Sequence, residues 1–382
     1  MKKLVKISKI VVITFISTLM IMCDSSTGKA QDNSSDKPKK SIKLAILLDT
    51  SNSMDGLIDQ AKSQLWTIVN EMSKAKCDNV HIDLKIALYE YGNSGLPESE
   101  GYIRMVTPLT NDLDEISKDL FSLTTNGGQE YCGQVINTSL KELDWNKKSD
   151  DYQVIFIAGN EPFTQGRFNY RNVCREAKER GIVVNTIFCG DFDEGIRTAW
   201  KDGAFLTGGD YFSIEQNRKT VYINSPYDDK IVLLNQLLNN TYIYYGSVGY
   251  QKKEMQTAQD ANAMSYGKAN SVKRAVSKSS HMYKNSQWDL VDAAEKESFD
   301  INKVEEEYLP KEMKGMNEEQ KLVYIEKKKE ERSNIQKEIN ALNVKREEYI
   351  RDQKKDSGGN MLDDAIIASI RKQAKTNNIV FK

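Results

Sequence analysis

The chain has 382 residues, 39% of them hydrophobic, enough for one α/β domain and a second region but lean for an apolar core throughout. Its 54 Lys and Arg against 55 Asp and Glu leave a net charge of −1, so it lacks the basic surplus that a general nucleic-acid binder needs to displace counterions. With only His81 and His281, imidazole chemistry has few candidates.

Residues 1–23 read as a targeting segment. Lys2, Lys3, Lys6 and Lys9 form a basic start, residues 10–22 a short apolar run, and Cys23 stands at its end. The run is too short and wrongly flanked for an ordinary transmembrane helix. It resembles a bacterial lipoprotein signal, in which the cysteine is lipidated and becomes the mature N-terminus, with Met20 and Met22 in place of the usual leucine and small residue. The expected location is the bacterial cell envelope, as a membrane-anchored lipoprotein. The alternatives are cleavage near Ala30 into a secreted or periplasmic soluble form, and an uncleaved anchor. Labelled fatty acid should mark the wild type and not Cys23→Ala; equal labelling would remove the lipoprotein reading. Residues 24–40, rich in Ser, Asp and Lys without apolar periodicity, read as a flexible tether.

A domain is expected over residues 41–245. Residues 43–48 form an apolar run of strand length that stops on Asp49, with Ser51 and Ser53 at alternate positions after it. Leu57, Ile58, Ala61, Leu65, Ile68, Val69 and Met72 then recur at helical spacing. A buried strand thus delivers one carboxylate and two hydroxyls into the loop that opens a helix, where ligands of open α/β sheets collect. Hard oxygen donors of this kind suit Mg²⁺ or Mn²⁺. A plain helix cap would need only one of them.

Further strands are expected over residues 81–91, 103–106, 154–157, 182–188 and 211–214. Pro108 should break the second of these, and Thr110 or Asn111 should cap the next helix, which carries Leu113, Ile116, Leu120 and Phe121. A Gly-rich loop over residues 124–130 precedes a helix marked by Val135, Ile136, Leu140 and Leu143. Helices are also predicted over 170–180, 194–201 and 231–244, with Gly181 as a stop. Buried strands alternating with helices imply a mostly parallel central sheet with helices on both faces.

Residues 250–382 read as an α-helical, partly coiled-coil-like C-terminal region. Residues 251–284 are polar and helix-favouring, with Gly267 an interruption; Trp288, Leu290 and Val291 form an apolar cluster, with Trp288 a core anchor. Ile335, Ile339, Leu342 and Tyr349 trace a partial heptad seam with Arg346 in the skipped slot, which fits a coiled coil, a helical hairpin or a helix docked on its neighbour. Gly358 and Gly359 should end that helix, and Leu362, Ala365, Ile366 and Ile370 mark a last one.

The phrase DTSNS, Asp49 to Ser53, resembles the metal-ion-dependent adhesion site of von Willebrand factor type A domains. The phrases TNGGQEYCG, IFIAGNEPFTQG and FCGD resemble a bacterial envelope-associated subgroup of that family. The resemblance implies the Rossmann-like VWA fold over roughly residues 41–245 and a cation held by three loops. The first is matched by Asp49, Ser51 and Ser53. In the second, the family's threonine follows Gly-Gly; here Gln129 holds that place and Glu130 comes next. In the third, the family's aspartate falls on Gly159, followed by Asn160 and Glu161. Glu130 offers a replacement carboxylate, so the expected ligands are Asp49, Ser51, Ser53 and Glu130, with Gln129, Asn160 and Glu161 around them and Asn160 a candidate to hold a bound water. The implied function is non-enzymatic: the cation accepts a carboxylate from a protein partner.

There is no phosphate-binding glycine loop, no G-x-S-x-G and no H-E-x-x-H. Cys77 and His81 lack a second ligand pair for zinc. Asp191 and Asp193 read either as helix caps or as part of the pocket mouth. Cys77, Cys132, Cys174 and Cys189 allow three disulfide pairings or buried free thiols. The competing readings are a metal-free envelope scaffold assembling through its C-terminal helices and, less favoured, a metal-dependent hydrolase at Asp49.

Overall fold

The computed structural model describes residues 40–76, 82–145, 151–214, 223–357 and 361–381. In chain order the elements are β1 (Ser41–Asp49), α1 (Ile58–Met72), β2 (Ala75–Lys76), β3 (Asp83–Tyr91), β4 (Ile103–Thr110), α2 (Leu113–Ser122), α3 (Cys132–Glu142), β5 (Tyr152–Gly159), α4 (Tyr170–Glu179), β6 (Ile182–Phe188), α5 (Phe192–Arg197), α6 (Trp200–Thr207) and β7 (Tyr211–Ser213). There follow α7 (Asp228–Asn239), α8 (Gly249–Ser265), α9 (Lys268–Lys278), α10 (Leu290–Ala293), α11 (Glu318–Ser357), α12 (Met361–Lys375) and β8 (Val380–Phe381).

Six strands form one sheet in the order β4-β3-β1-β5-β6-β7, parallel except for the antiparallel edge strand β4. From β1 the chain moves out to β3 on one side and β5 on the other. The crevice at this switch point lies where Asp49 ends β1. Side chains along β1 alternate between the two faces. Ile42, Leu44, Ile46 and Leu48 join a core with α1, α2 and α7, whereas Ala45 and Leu47 join one with α3, α4 and α6.

Several local expectations are corrected. Pro108 does not end its strand: β4 runs on to Thr110, because a proline without an N–H is tolerated on an edge. The α2 cap is Asp112, whose Oδ1 accepts from Asp114 and Glu115 backbone N–H at 3.0 Å each, rather than Thr110 or Asn111. The single helix expected over 194–201 is two, α5 and α6, divided where Ala199 adopts φ +72°. Gly267 does divide the next polar stretch, at φ +114° between α8 and α9. Trp288 is an anchor in the core, 3% exposed and stacked on Tyr242.

The C-terminal helices are built into the body that holds the sheet: Lys39–Lys382 forms one compact unit. Val272 and Ala275 of α9, Ile339 of α11, and Ile366, Ile370 and Ala374 of α12 all enter the same core as α1. The heptad-like seam of α11 is a docking face. Ile339 is buried, Ile335 and Leu342 pack beside it, and Arg346 in the skipped slot binds the buried Asp228 of α7 at 2.9 Å. A second helix layer therefore covers α1, which buries Asn70 and Glu71 on the face that a two-layered sheet protein would leave wet. The sheet itself carries one buried polar residue that this layer explains. Asn185 in β6 donates to Gln373 of α12 at 3.0 Å and accepts from it at 2.8 Å, and Tyr152 of β5 donates to the same glutamine at 2.8 Å. No helix among the described residues is long and apolar enough to cross a membrane.

Candidate metal centre

The β1 strand stops at Asp49 because Thr50 leaves the sheet, its N–H bonding Tyr91 O at 2.8 Å while its own carbonyl takes Asn126 N–H at 2.9 Å. This turns the first loop against the Gly-rich loop before α3. Ser51 is the hub. Its N–H donates to Asp49 Oδ1 at 2.8 Å and its hydroxyl lies 2.8 Å from the Ser53 hydroxyl. The Ser51 hydroxyl also favours the charged forms of Asp49 and Glu130. The four expected ligands are thus joined through one side chain.

Asp49 is fully buried, and its Oδ2 has no hydrogen-bond partner among the described residues. Burial pushes its carboxyl up to about 7, with the negative Glu130 adding to the rise and the Ser51 hydrogen bonds opposing it. Glu130, 6% exposed, is also raised, by burial first and then by Glu161. Two buried carboxylates whose acidity is weakened in this way, one with an orphaned oxygen, flanked by two hydroxyls, make a donor set that fits a hard divalent cation. Among the described residues there is no cluster of three or more His, Cys, Asp or Glu side chains placed for a metal, so any cation here depends on the serine hydroxyls and water.

Two glycines make the space: Gly92, which sequence reasoning did not single out, and Gly159, which it read only as a missing aspartate. A Cβ on Gly92 would lie 2.8 Å from Asp49 Oδ1 and 2.9 Å from Glu130 Cγ, so the two carboxylates close over a residue with no side chain. Gly159, at the place of the family's aspartate, is the second. A Cβ there would lie 2.4 Å from the Tyr91 hydroxyl and 3.0 Å from Asp49 Oδ2. Tyr91, buried and donating to Ala158 O at 3.1 Å, fills the volume that an aspartate would need. The signal was available: a glycine at the end of each strand that flanks β1, Gly92 directly after β3 and Gly159 as the last residue of β5.

The surrounding residues divide. Asn160 bonds Ser53 directly, accepting from its hydroxyl at 2.9 Å and donating to its carbonyl at 3.0 Å, so it fixes the first loop rather than waiting for a water. Gln129 accepts from the Tyr131 hydroxyl, and Glu161 from Gln165 at 3.0 Å. Together with Asn52, Ser53, Glu130 and Gly166 these residues line an open cavity of ≈690 Å³. Asp191 is a helix cap, accepting from Glu194 N–H at 2.9 Å. Cys132, Cys174 and Cys189 are buried free thiols. Cys23, Cys77, His81, Gly358 and Gly359 lie outside the described residues.

A doubly wound α/β sheet with an oxygen-rich crevice at the carboxyl end of its first strand defines the class. Residues 43–195 match the family model of the von Willebrand factor type A domain, and the chain carries such a domain. No curated protein matches it. Among solved structures it is similar to the SpRpn10 VWA domain, at 14% identity over 46% of this chain and 89% of that one, with a TM-score of 0.36. It is also similar to BatB from Bacteroides thetaiotaomicron, at 16% identity over 46% and 90%, with a TM-score of 0.34. A third likeness is to proximal thread matrix protein 1 of the mussel byssus with a zinc-occupied MIDAS motif, at 10% identity over 47% and 43%, with a TM-score of 0.35.

Proposed function

We propose that this is an envelope-tethered, non-enzymatic interaction protein whose variant adhesion site, Asp49, Ser51, Ser53 and Glu130, holds Mg²⁺ or Mn²⁺ and presents it to a partner protein. The observation that carries the reading is the buried, unpartnered Asp49 Oδ2 beside a second buried carboxylate and two hydroxyls. When bound, the cation supplies an electrophilic point that takes a carboxylate from the partner. The protein's own part is positional: Ser51 orients both acids, Asn160 ties down Ser53, and the residues around the cavity meet the partner's flanking groups. The tether is the lipid on Cys23. The C-terminal helices support this reading over a scaffold that self-associates through them, because Ile339, Ile366 and Ile370 are already buried within the chain.

Thermal unfolding in EDTA, Mg²⁺ and Mn²⁺ tests the site. A cation bound only by the native state raises the midpoint by mass action. The rise should be present in the wild type and lost in Asp49→Ala and Glu130→Gln. A wild type indifferent to both metals would leave a metal-free module.

A further inference from the structure

A second cavity, of ≈680 Å³, lies between α1, α9, α11 and α12. It faces the side of α1 opposite the sheet-directed Leu65, Ile68 and Met72. Asn70 lines it, twelve residues and so about 18 Å along α1 from the helix start at the metal loop. Asn70 is 7% exposed, yet among the described residues neither its Nδ2 nor its Oδ1 has a hydrogen-bond partner. Asp363 Oδ1, on the α12 side of the cavity, has none either. Buried amides in folded proteins are paired, so an amide with both ends open beside a cavity calls for a partner.

The chemistry of the walls narrows that partner. Most of the cations on the walls are already matched, Arg346 by Asp228 at 2.9 Å. Lys74 lies 3.4 Å from Glu71 and 3.5 Å from Glu347; Arg371 lies 2.7 Å from Glu71; Lys273 lies 3.5 Å from Asp363. To use these cations, a phosphate or other strong anion would have to break their pairs. Val272, Val276 and Ile367 supply apolar wall. The volume is that of a small-ligand pocket. A carboxamide offers one acceptor and two donors, and an extended peptide residue presents its own N–H and C=O along the same edge.

We propose that this cavity binds a short peptide, with the Asn70 carboxamide pairing to the N–H and C=O of one of its residues and an apolar side chain set against Val272, Val276 and Ile367. The site stands apart from the metal centre and does not depend on it.

The test uses the full chain and the blocked residue N-acetyl-leucine-N-methylamide, followed by calorimetric titration and thermal unfolding. Wild type should bind saturably and gain in midpoint. Asn70→Leu should weaken binding about tenfold or more, the equivalent of losing two hydrogen bonds, while the free chain keeps the wild-type midpoint or exceeds it, since no unpaired amide is left behind. Ile367→Trp, which fills the cavity from α12, should abolish binding, and Asp49→Ala should leave it unchanged. Failure of the wild type to saturate, or equal binding by Asn70→Leu, would overturn the proposal and leave Asn70 served by an ordered water only. Binding of inorganic phosphate in place of the amide would overturn the ligand class.

Discussion

Arg332→Met is expected to cost the fold on the order of 3 to 5 kcal/mol, read as a drop in the urea midpoint. Arg332 is 5% exposed on α11 and makes a fork of bonds into the sheet-side body. It donates to Asp289 Oδ2 at 2.7 Å and Oδ1 at 3.1 Å, to Asp292 Oδ1 at 2.8 Å and to Thr241 O at 2.8 Å, with its guanidinium 3.9 Å from the centre of the Tyr242 ring. Methionine keeps most of the stem but leaves Asp289 buried without its cation and Asp292 with only the half-exposed Lys284, 3.9 Å away. Asp292 shows the consequence already: burial and then the neighbouring Asp289 hold its carboxyl above the ordinary range even with Arg332 in place. Arg332→Lys should recover only part of the loss, because an ammonium cannot reproduce the fork. If the methionine variant kept the wild-type midpoint, the network would contribute no net stability.

The second large effect is on pH dependence. Asp49 has a folded-state pKa of about 7, against 3.8 for the free group, because burial disfavours its charge. A raised carboxyl pKa means that the native state binds the proton more tightly than the unfolded chain. The contribution is fully present below pH 3.8 and is lost as pH rises through 7. In EDTA the wild type should therefore lose on the order of 4 kcal/mol from this group between pH 4 and pH 8, and Asp49→Asn, neutral throughout, should lack that component of the slope. Glu130, shifted the same way, adds to the wild-type trend. With saturating Mg²⁺ the sign should invert: the cation favours the ionised pair, protons compete with it, and stability rises with pH. Denaturant titrations of both chains at several pH values, with and without metal, separate these outcomes. A wild-type slope in EDTA equal to that of Asp49→Asn would mean that Asp49 is ionised in the native state.

The sheet and the first loop were legible because their signals are local. An apolar run ending on Asp49, with hydroxyls at alternate positions, is a strand emptying into a ligand loop, and counting on from Gly127 and Gly128 leads to Glu130. What the chain hid depends on contacts between distant segments. The apolar positions of α12 serve equally well for self-association or for docking, and nothing near Ile366 says that its partner is α1. The hint was inverted polarity. Asn185 inside a largely apolar strand and Glu71 in the last turns of α1 needed partners, and Gln373 and Arg371 supply them from almost 200 and 300 residues away. Gly159 was readable as a missing ligand but not as room kept for the Tyr91 ring, since that depends on which side chain of β3 reaches across β1.

The small pairing of β2 with β8 joins Ala75 to Phe381 and Lys76 to Val380. It sits directly after α1, and α12 lies against the same helix, so the element that begins at the metal loop is finished by residues made some three hundred positions later. During synthesis the strands around β1 can assemble early, but one flank of α1 has no cover until the far segment arrives. Closing so large a loop is entropically expensive and comes late in folding. The body that holds the metal loop therefore stays incomplete until Val380 and Phe381 have been made.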